Sequence, residues 1–348
     1  MPAQPLFGLD IGVTSIKAVQ LINTGKSKRL SALGTIPTPV GGFLGAEETS
    51  ISTVAEAIKK LVKDSKISTK NVNIALPESK IFTRVIEMPP ISDEELTSAI
   101  TWEAEQYVPM ALEDVNMDWQ VISRPKEPGS NQKMLVLLSA SPKKLIESYM
   151  KLADKSDLNL VSLEPQTIAV IRSFSLMGVP SPTSLVLDMG AEETNLIIIK
   201  DGYLLFTRTV GTGGNALTRA IGSQFGLEFI QAEEYKKTYG LEKESFDGKL
   251  AEVLKPLVDI LVTEIKRGIS FYESTKTDDN VKRLILSGSP TLMPGLVRYL
   301  TESVGVETQL ADPWDEGVEI DSKLFPDIQS KGPSFALSCG LAKKEIDA

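Results

Sequence analysis

The chain has 348 residues, which at roughly 150 per domain suggests about two domains, and its 42% hydrophobic and 24% charged residues predict a packed globular core. A net charge of -9 argues against broad nucleic-acid binding, and one cysteine, Cys339, excludes an intrachain disulfide or a cysteine-cluster metal site. Histidine is absent, which removes Ser-His-Asp hydrolysis, histidine-ligated zinc and histidine general-base chemistry. No apolar run reaches the roughly 18 residues of a membrane span, and the first residues lack a basic region followed by an apolar stretch. The expectation is a soluble, cytoplasmic α/β protein.

Leu6 to Ile11 and Ile16 to Ile22 are apolar runs around Gly12 and read as a strand hairpin, with Ser31 to Ile36 as a third strand. Ile51, Val54, Ala55, Ile58, Leu61 and Val62 recur at helical spacing, and Val72 to Leu76 reads as a buried strand. Ser92 with Glu95 forms a capping-box pattern that opens a helix running to Pro109. Met117 to Ser123 and Met134 to Ser139 read as strands around a polar loop, Pro125 to Gln132, and Lys143 to Lys155 as a helix. This α+β block, from about residue 83 to 159, reads as an inserted subdomain. Leu160 to Leu163 and a helix to Met177 then return to the first domain, and Pro180 to Thr183 is a linker. Beyond it, Ser184 to Asp188, Thr194 to Lys200 and Leu204 to Val210 read as strands. Ala216 to Phe225, Gln231 to Tyr239 and Gly248 to Glu273 read as helices. Leu284 to Leu286 is a strand leading through Gly288 into a helix that ends at Leu300, and Ser334 to Lys344 is a last helix.

One pattern occurs twice. Leu9-Asp-Ile-Gly-Val-Thr-Ser-Ile-Lys-Ala-Val and Leu187-Asp-Met-Gly-Ala-Glu-Glu-Thr-Asn-Leu-Ile both read strand, Asp, apolar residue, Gly, polar turn, strand. Each glycine turn can aim backbone N–H groups at a phosphate. Two such hairpins facing each other would clamp a polyphosphate. Asp10 and Asp188 could approach that anion only with Mg²⁺ or water between, because a like-charge pair at about 4 Å costs about 4 kcal/mol at an effective dielectric near 20. A further strand–turn–helix, Leu284-Ile-Leu-Ser-Gly-Ser-Pro, has Gly288 and Ser289 placed to lie against an adenine base. No G-x-x-x-x-G-K-[ST] sequence is present, which excludes a Walker-type site.

On these motifs the chain resembles the actin-like ATPase superfamily. Gly8 to Val19 matches its first phosphate motif, Val186 to Ile198 its second and Leu284 to Leu300 its adenosine motif. Ser162 to Ile171 and Phe335 to Ala342 fall where its two connecting helices occur. The resemblance implies an α/β, ribonuclease H-like duplication: two domains with mixed sheets flanked by helices around a nucleotide cleft. The first domain is expected over 1–82, completed by 160–180 and 333–348, with the insertion over 83–159. The second is expected over 181–332, with a helical part at about 223–280.

ATP and Mg²⁺ are the implied cofactors. The implied nucleotide-binding residues are Asp10, Gly12, Val13, Thr14, Ser15 and Lys17 in the first motif, and Asp188, Gly190, Ala191, Glu192 and Thr194 in the second. Gly213, Gly214 and Asn215 resemble a glycine pair opening a helix near the phosphates. Ala232-Glu-Glu-Tyr-Lys-Lys resembles a superfamily helix, which places Glu233, Lys236 and Lys237 near ribose and adenine. Glu164 matches a glutamate that positions metal or water for hydrolysis, with a strand-to-helix cap as its other reading. Asp10 and Asp188 are the expected magnesium-side carboxylates, acting through water.

The insertion narrows the resemblance. Arg84-Val-Ile-Glu-Met-Pro-Pro, Glu95-Leu, Ala99-Ile-Thr-Trp-Glu-Ala-Glu-Gln-Tyr-Val-Pro and Asp118 look like the PilM family of type IV pilus assembly proteins, related to FtsA. That implies an ATP-binding assembly protein with at most slow turnover. Its partner would be the short N-terminal cytoplasmic peptide of PilN, held in a groove between the first domain and the insertion. Pilus motor or platform proteins would follow, with indirect membrane association and self-association left open. Trp102, Glu105 and Gln106 are the expected partner-facing residues, against the plainer reading that they belong to the helix's own core. The other readings are an FtsA-like filament-forming ATPase, a type II secretion homologue, and a small-molecule kinase, which would need a further catalytic carboxylate.

Overall fold

The computed structural model describes residues 5–25, 27–43, 47–124, 133–174, 179–242, 246–275, 279–314 and 317–344. The loop expected over 125–132, the end of the helix expected to reach Met177 and the residues after Lys344 lie outside that set.

The duplication visible in the sequence is a duplication of sheet topology. In chain order the first half supplies β1 (Phe7–Ile11), β2 (Ser15–Asn23), β3 (Lys28–Pro37), α1 (Glu48–Asp64) and β4 (Asn71–Leu76). The insertion follows as β5 (Phe82–Met88), α2 (Asp93–Tyr107), β6 (Val115–Ser123) and β7 (Met134–Pro142). Next come α3 (Lys143–Lys155), β8 (Asn159–Pro165) and α4 (Gln166–Phe174). The second half contains β9 (Ser184–Met189), β10 (Thr194–Lys200), β11 (Tyr203–Val210), α5 (Gly214–Phe225), α6 (Phe229–Tyr239) and α7 (Lys249–Thr275). It ends with β12 (Arg283–Ser287), α8 (Leu296–Val304), β13 (Glu307–Leu310), β14 (Val318–Glu319) and α9 (Gly332–Lys343).

One sheet has the order β14-β3-β2-β1-β4-β8 and the other β11-β10-β9-β12-β13. From β3 to β8 and from β11 to β13 the pairings run antiparallel, antiparallel, parallel, parallel. The short edge strand β14 alone breaks the correspondence. It carries only Val318 and Glu319, too few residues to leave a period in the sequence. Strands β5 and β13 also go beyond the sequence expectation. Arg84 and Glu87 interrupt β5, and β13 lies along an edge with its residues largely exposed.

Both faces of the two large sheets are buried at their centres, and on one face each sheet forms a core with its own helices. Phe7, Leu9, Ile16, Ala18 and Ile74 form a core with Ile51, Val54, Ala55 and Ile58 of α1 and with Tyr149 and Leu152 of α3. Leu185, Leu187, Leu196 and Ile198 do the same with α5, α7 and α8. The insertion is a three-stranded sheet, β5-β7-β6, with α2 on one face through Leu96, Ile100 and Ala104. The capping box forms as the sequence predicts: the Glu95 N–H donates to Ser92 Oγ (3.3 Å) and the Ser92 N–H to Glu95 Oε2 (3.0 Å). The other face of this small sheet packs Val85, Ile122 and Leu137 with Ile197, Ile199 and Leu204 of the second large sheet.

Helix α9 is buried on nearly every side and touches both large sheets. The Gly288 N–H donates to Pro333 O (2.9 Å) at one end of α9, and Asn73 Nδ2 donates to Leu341 O (3.1 Å) near the other. Helices α4 and α9 meet backbone to backbone, since a Cβ on Gly340 would lie 1.7 Å from Ala169 O. Only glycine allows that approach.

Candidate functional site

The two hairpins end in the same turn. The Gly12 N–H donates to Ser15 O at 3.1 Å, and the Gly190 N–H donates to Glu193 O at 2.8 Å. Asp10 stands opposite Lys17 in the first hairpin, and Asp188 stands opposite Asn195 in the second. Val13 and Thr14 are exposed at the tip of the first turn and Gly190 and Glu192 at the second, where both can meet a ligand. Thr38 fastens the first turn from below, its hydroxyl donating to Gly12 O at 2.7 Å. Thr194 fastens the second, donating to Thr212 O at 2.6 Å.

The carboxylates at the roots of these turns sense each other. Burial pushes Asp188 up to about 6, and Asp10 and Glu193 push the same way, while the Ser287 hydroxyl and Lys17 oppose. Burial also raises Asp10, opposed by Lys17, whose Nζ lies 3.6 Å from Asp10 Oδ2. Groups of the first hairpin therefore act on Asp188 of the second, so the two turns face one gap. Among the described residues no group of three or more His, Cys, Asp and Glu side chains converges to cage a metal. Two carboxylates at one gap do fit Mg²⁺ shared with phosphates and waters, which uses one or two protein carboxylates.

The second turn continues into a connected set of expected residues. Gly214 N–H donates to Gly190 O (2.9 Å) and Asn215 N–H to Ala191 O (2.7 Å), so the start of α5 is held on the turn. Asn215 Nδ2 donates to Glu192 Oε1 at 2.7 Å, and Glu192 is also ion-paired to Arg219. Gly214 lies against Pro290, which follows Ser289 at the third turn. Gly288 has φ +93° there, and a Cβ on it would meet Met189 O at 2.0 Å. Asp10, Gly12, Lys17, Asp188, Gly190, Ala191, Gly213, Gly214, Asn215 and Gly288 are thus brought to adjoining turns.

Glu164 and Lys236 have surroundings other than the resemblance implies. Glu164 is not free to face the gap. Its carboxylate is held bidentate by Arg172 (2.7 and 2.8 Å), with Lys344 Nζ at 3.4 Å. Its partners place it against α4 and the residue that follows α9. Lys236 is buried beneath the α5 turn instead of presenting its ammonium to ribose and adenine. Its Nζ lies close to Gly214 O (2.9 Å), Thr218 Oγ1 (2.7 Å) and Glu233 Oε2 (2.6 Å), three acceptors within the protein. Glu233 is also bound by the Thr218 hydroxyl (2.5 Å), whereas Lys237 is exposed and paired with Glu233 and Glu234. Trp102, Glu105 and Gln106 lie apart from this cluster, on the exposed face of α2, with Trp102 73% exposed.

Sequence reasoning did not reach Ser287, Asn195 or Glu78. Ser287 Oγ donates to Asp188 Oδ1 at 2.8 Å, and Asn195 occupies the place in the second repeat that Lys17 occupies in the first. The two repeats already align Asn195 with Lys17, so the position is visible and only its role is not drawn from it. Glu78 follows β4 and accepts from the Thr167 N–H at 3.1 Å. Burial raises its pKa, the Thr167 and Thr83 groups beside it oppose this, and the charge of Glu193 adds to the rise. No local motif marks it.

A family model described as type IV pilus assembly protein PilM matches residues 8–346. The chain is 23% identical to the cell division protein FtsA of Streptococcus pneumoniae, covering 89% of this chain and 76% of that protein. A solved PilM-PilN type IV pilus biogenesis complex aligns with a TM-score of 0.86 and 28% identity over 98% of each chain. MreB5 of Spiroplasma citri bound to AMPPNP aligns at a TM-score of 0.52 with 13% identity, over 97% of this chain and 94% of that one. The last is a likeness of fold.

Proposed function

This chain belongs to the PilM family of type IV pilus assembly proteins and has the actin-like ATPase fold, and we propose that it binds ATP with Mg²⁺ between its two matched turns and reports occupancy to a PilN-type partner. The observation that supports this reading most is the pair of matched turns, Gly12 N–H to Ser15 O and Gly190 N–H to Glu193 O, each with a strand-end carboxylate, Asp10 or Asp188, at its root. Two carboxylates drawn out of water beside one another are poorly solvated until a cation is shared between them.

Asp10 and Asp188 would hold the metal's water shell. The N–H groups of the two turns and the start of α5 would face the phosphates, and Gly288 with Ser289 would lie along the base. The bound magnesium would neutralise phosphate charge that the carboxylates otherwise repel. Residues 1–82, 160–180 and 333–348 would form one domain and 181–332 the other, with 83–159 inserted. Binding energy that differs between open and closed arrangements is what a partner can read, so turnover need not be fast.

The partner reading rests on family membership and on the solved relative, which is a PilM-PilN complex. The N-terminal peptide of PilN would lie along the insertion, with Trp102, Glu105 and Gln106 nearby, and would bring the protein to the inner membrane. Among the described residues no helix is long and apolar enough to cross a membrane. A fluorescent ATP analogue titrated with and without magnesium tests the nucleotide half. Saturable binding strengthened by magnesium and weakened in Asp10→Ala and Asp188→Ala is the expected result; its absence in the wild type rejects the reading. Hydrogen exchange with a PilN N-terminal peptide tests the other half, with protection expected within residues 83–109.

A further inference from the structure

One residue fastens the first turn through two bonds. Thr38, just past the end of β3, donates its N–H to Thr14 O at 3.1 Å and its hydroxyl to Gly12 O at 2.7 Å. Both carbonyls belong to the turn between β1 and β2, whose Gly12 N–H is given to Ser15 O. Thr38 stands between Pro37 and Pro39. The ring of Pro37 fixes its own φ, and Pro39 restricts Thr38 to extended backbone, so the strap is stiff on both sides. Its far end is anchored as well. Pro39 O accepts from the Gly42 N–H at 2.9 Å, and Gly42 O accepts from the Ser50 hydroxyl of α1 at 2.6 Å.

The second turn is fastened in the same way by a different element. Gly190 O accepts from the Gly214 N–H at 2.9 Å and Ala191 O from the Asn215 N–H at 2.7 Å, both at the start of α5. In each repeat, then, the glycine carbonyl and one further carbonyl of the turn are bound from outside the hairpin. The donors also occupy one topological place. β3 and β11 are the third strands of their repeats, and in both halves the segment leaving that strand closes back on the turn between the first two.

A planar trans peptide points its C=O and the following N–H in opposite directions. With Gly12 O and Thr14 O drawn towards Thr38, the N–H groups of Val13 and Ser15 point away from it. Backbone N–H groups aligned like this attract an anion, which carbonyl oxygens would repel. We propose that Thr38 is the positioning residue of the first phosphate turn: it withdraws two carbonyls and keeps the Val13 and Ser15 N–H groups turned out to phosphate oxygens. The start of α5 performs the same task for the second turn. Thr38 acts through the turn and not on the ligand, and its role rests on the reading that a nucleotide's phosphates occupy the gap.

The plainer alternative is that Thr38 only joins the segment after β3 to the hairpin, with no consequence for phosphate. Titration of a fluorescent ATP analogue with magnesium into the full chain, Thr38→Val and Thr38→Ser separates the two. Valine keeps the shape and the backbone N–H but lacks the hydroxyl, whereas serine keeps the hydroxyl. Affinity should fall about three- to tenfold in Thr38→Val, the worth of one hydrogen bond, and stay within about twofold of the wild type in Thr38→Ser. Wild-type affinity in Thr38→Val, or an equal loss in both variants, overturns the proposal while leaving the nucleotide site in place. A wild type that does not bind rejects the nucleotide reading itself, and the role of Thr38 falls with it. Should Thr38→Val not fold, a crystal structure of the wild type with ATP and magnesium decides. A phosphate oxygen on the Val13 or Ser15 N–H, with Gly12 O still bonded to Thr38, is expected; phosphates that leave both N–H groups untouched overturn the proposal.

Discussion

The Asp188 carboxylate accepts a hydrogen bond from Ser287, 2.8 Å away on the neighbouring parallel strand, and is still raised to about 6 by its burial. Such a group binds a proton in the folded state over a pH range where the unfolded chain has lost it. Its share of stability is therefore intact at pH below the unfolded value of 3.8 and is lost as pH rises through about 6. Asp188→Asn should make the ligand-free protein more stable near neutral pH, by on the order of 2 kcal/mol, with the gain shrinking as pH falls towards about 4. Melting curves of both proteins across that range check this. A gain that does not vary with pH would assign the effect to packing rather than charge.

Glu164 invites a prediction opposite to its sequence motif. Its bidentate pair with Arg172, itself bonded to Gly340 O at 3.1 Å, ties β8 and α4 to α9. Glu164→Gln would leave a guanidinium that is 23% exposed short of its partner, a loss of about 2–3 kcal/mol, below the fully buried case. Nucleotide affinity in the fluorescence titration should be unchanged. Reduced affinity with unaltered melting would restore Glu164 to the site.

Which features the sequence could disclose follows from their range. The hairpins are legible because β1 to β2 and β9 to β10 each place a strand, an Asp, a Gly turn and a strand within about a dozen contiguous residues. The helices α1 and α2 are legible because Ile51 to Leu61 and the Ser92–Glu95 cap are local patterns. The ion pairs of Glu164 are not legible in Leu-Glu-Pro, because Arg172 lies eight residues on, in the following helix, and Lys344 is distant in sequence. Lys236 reads as a ligand contact because a charged helix face looks the same whether its ammonium meets solvent, nucleotide or a carbonyl such as Gly214 O. Glu78 is invisible for the same reason: Thr167, which it binds, lies 89 residues away.

The contact between α4 and α9 gives a prediction of definite sign. Gly→Ala within a helix is ordinarily stabilising by about 0.5–1 kcal/mol. At Gly340 the added methyl would lie 1.7 Å from Ala169 O and 3.2 Å from Ser173 N, both backbone atoms that cannot turn aside. Gly340→Ala should lower the melting temperature markedly, since α9 must move off α4 while remaining bonded to Gly288 and Asn73 at either end. A melting temperature equal to or above the wild type would show that the helices do not approach so closely.

Trp102 and Ile100 sit two residues apart on α2 and should separate a docking face from a core. Ile100 is fully buried with Leu96 and Ala104 against the small sheet, so Ile100→Ala should cost about 2–5 kcal/mol of stability. Trp102 is 73% exposed, and its truncation should leave melting within about 0.5 kcal/mol of the wild type. An exposed tryptophan is the residue type most enriched among those that dominate binding energy. If it contacts the PilN peptide, Trp102→Ala should weaken that peptide by about tenfold or more, whereas Glu105→Gln, towards the rim, should have a smaller, salt-sensitive effect. Isothermal titration of the peptide into each variant measures both. Full affinity in Trp102→Ala would move the peptide off the outer face of α2.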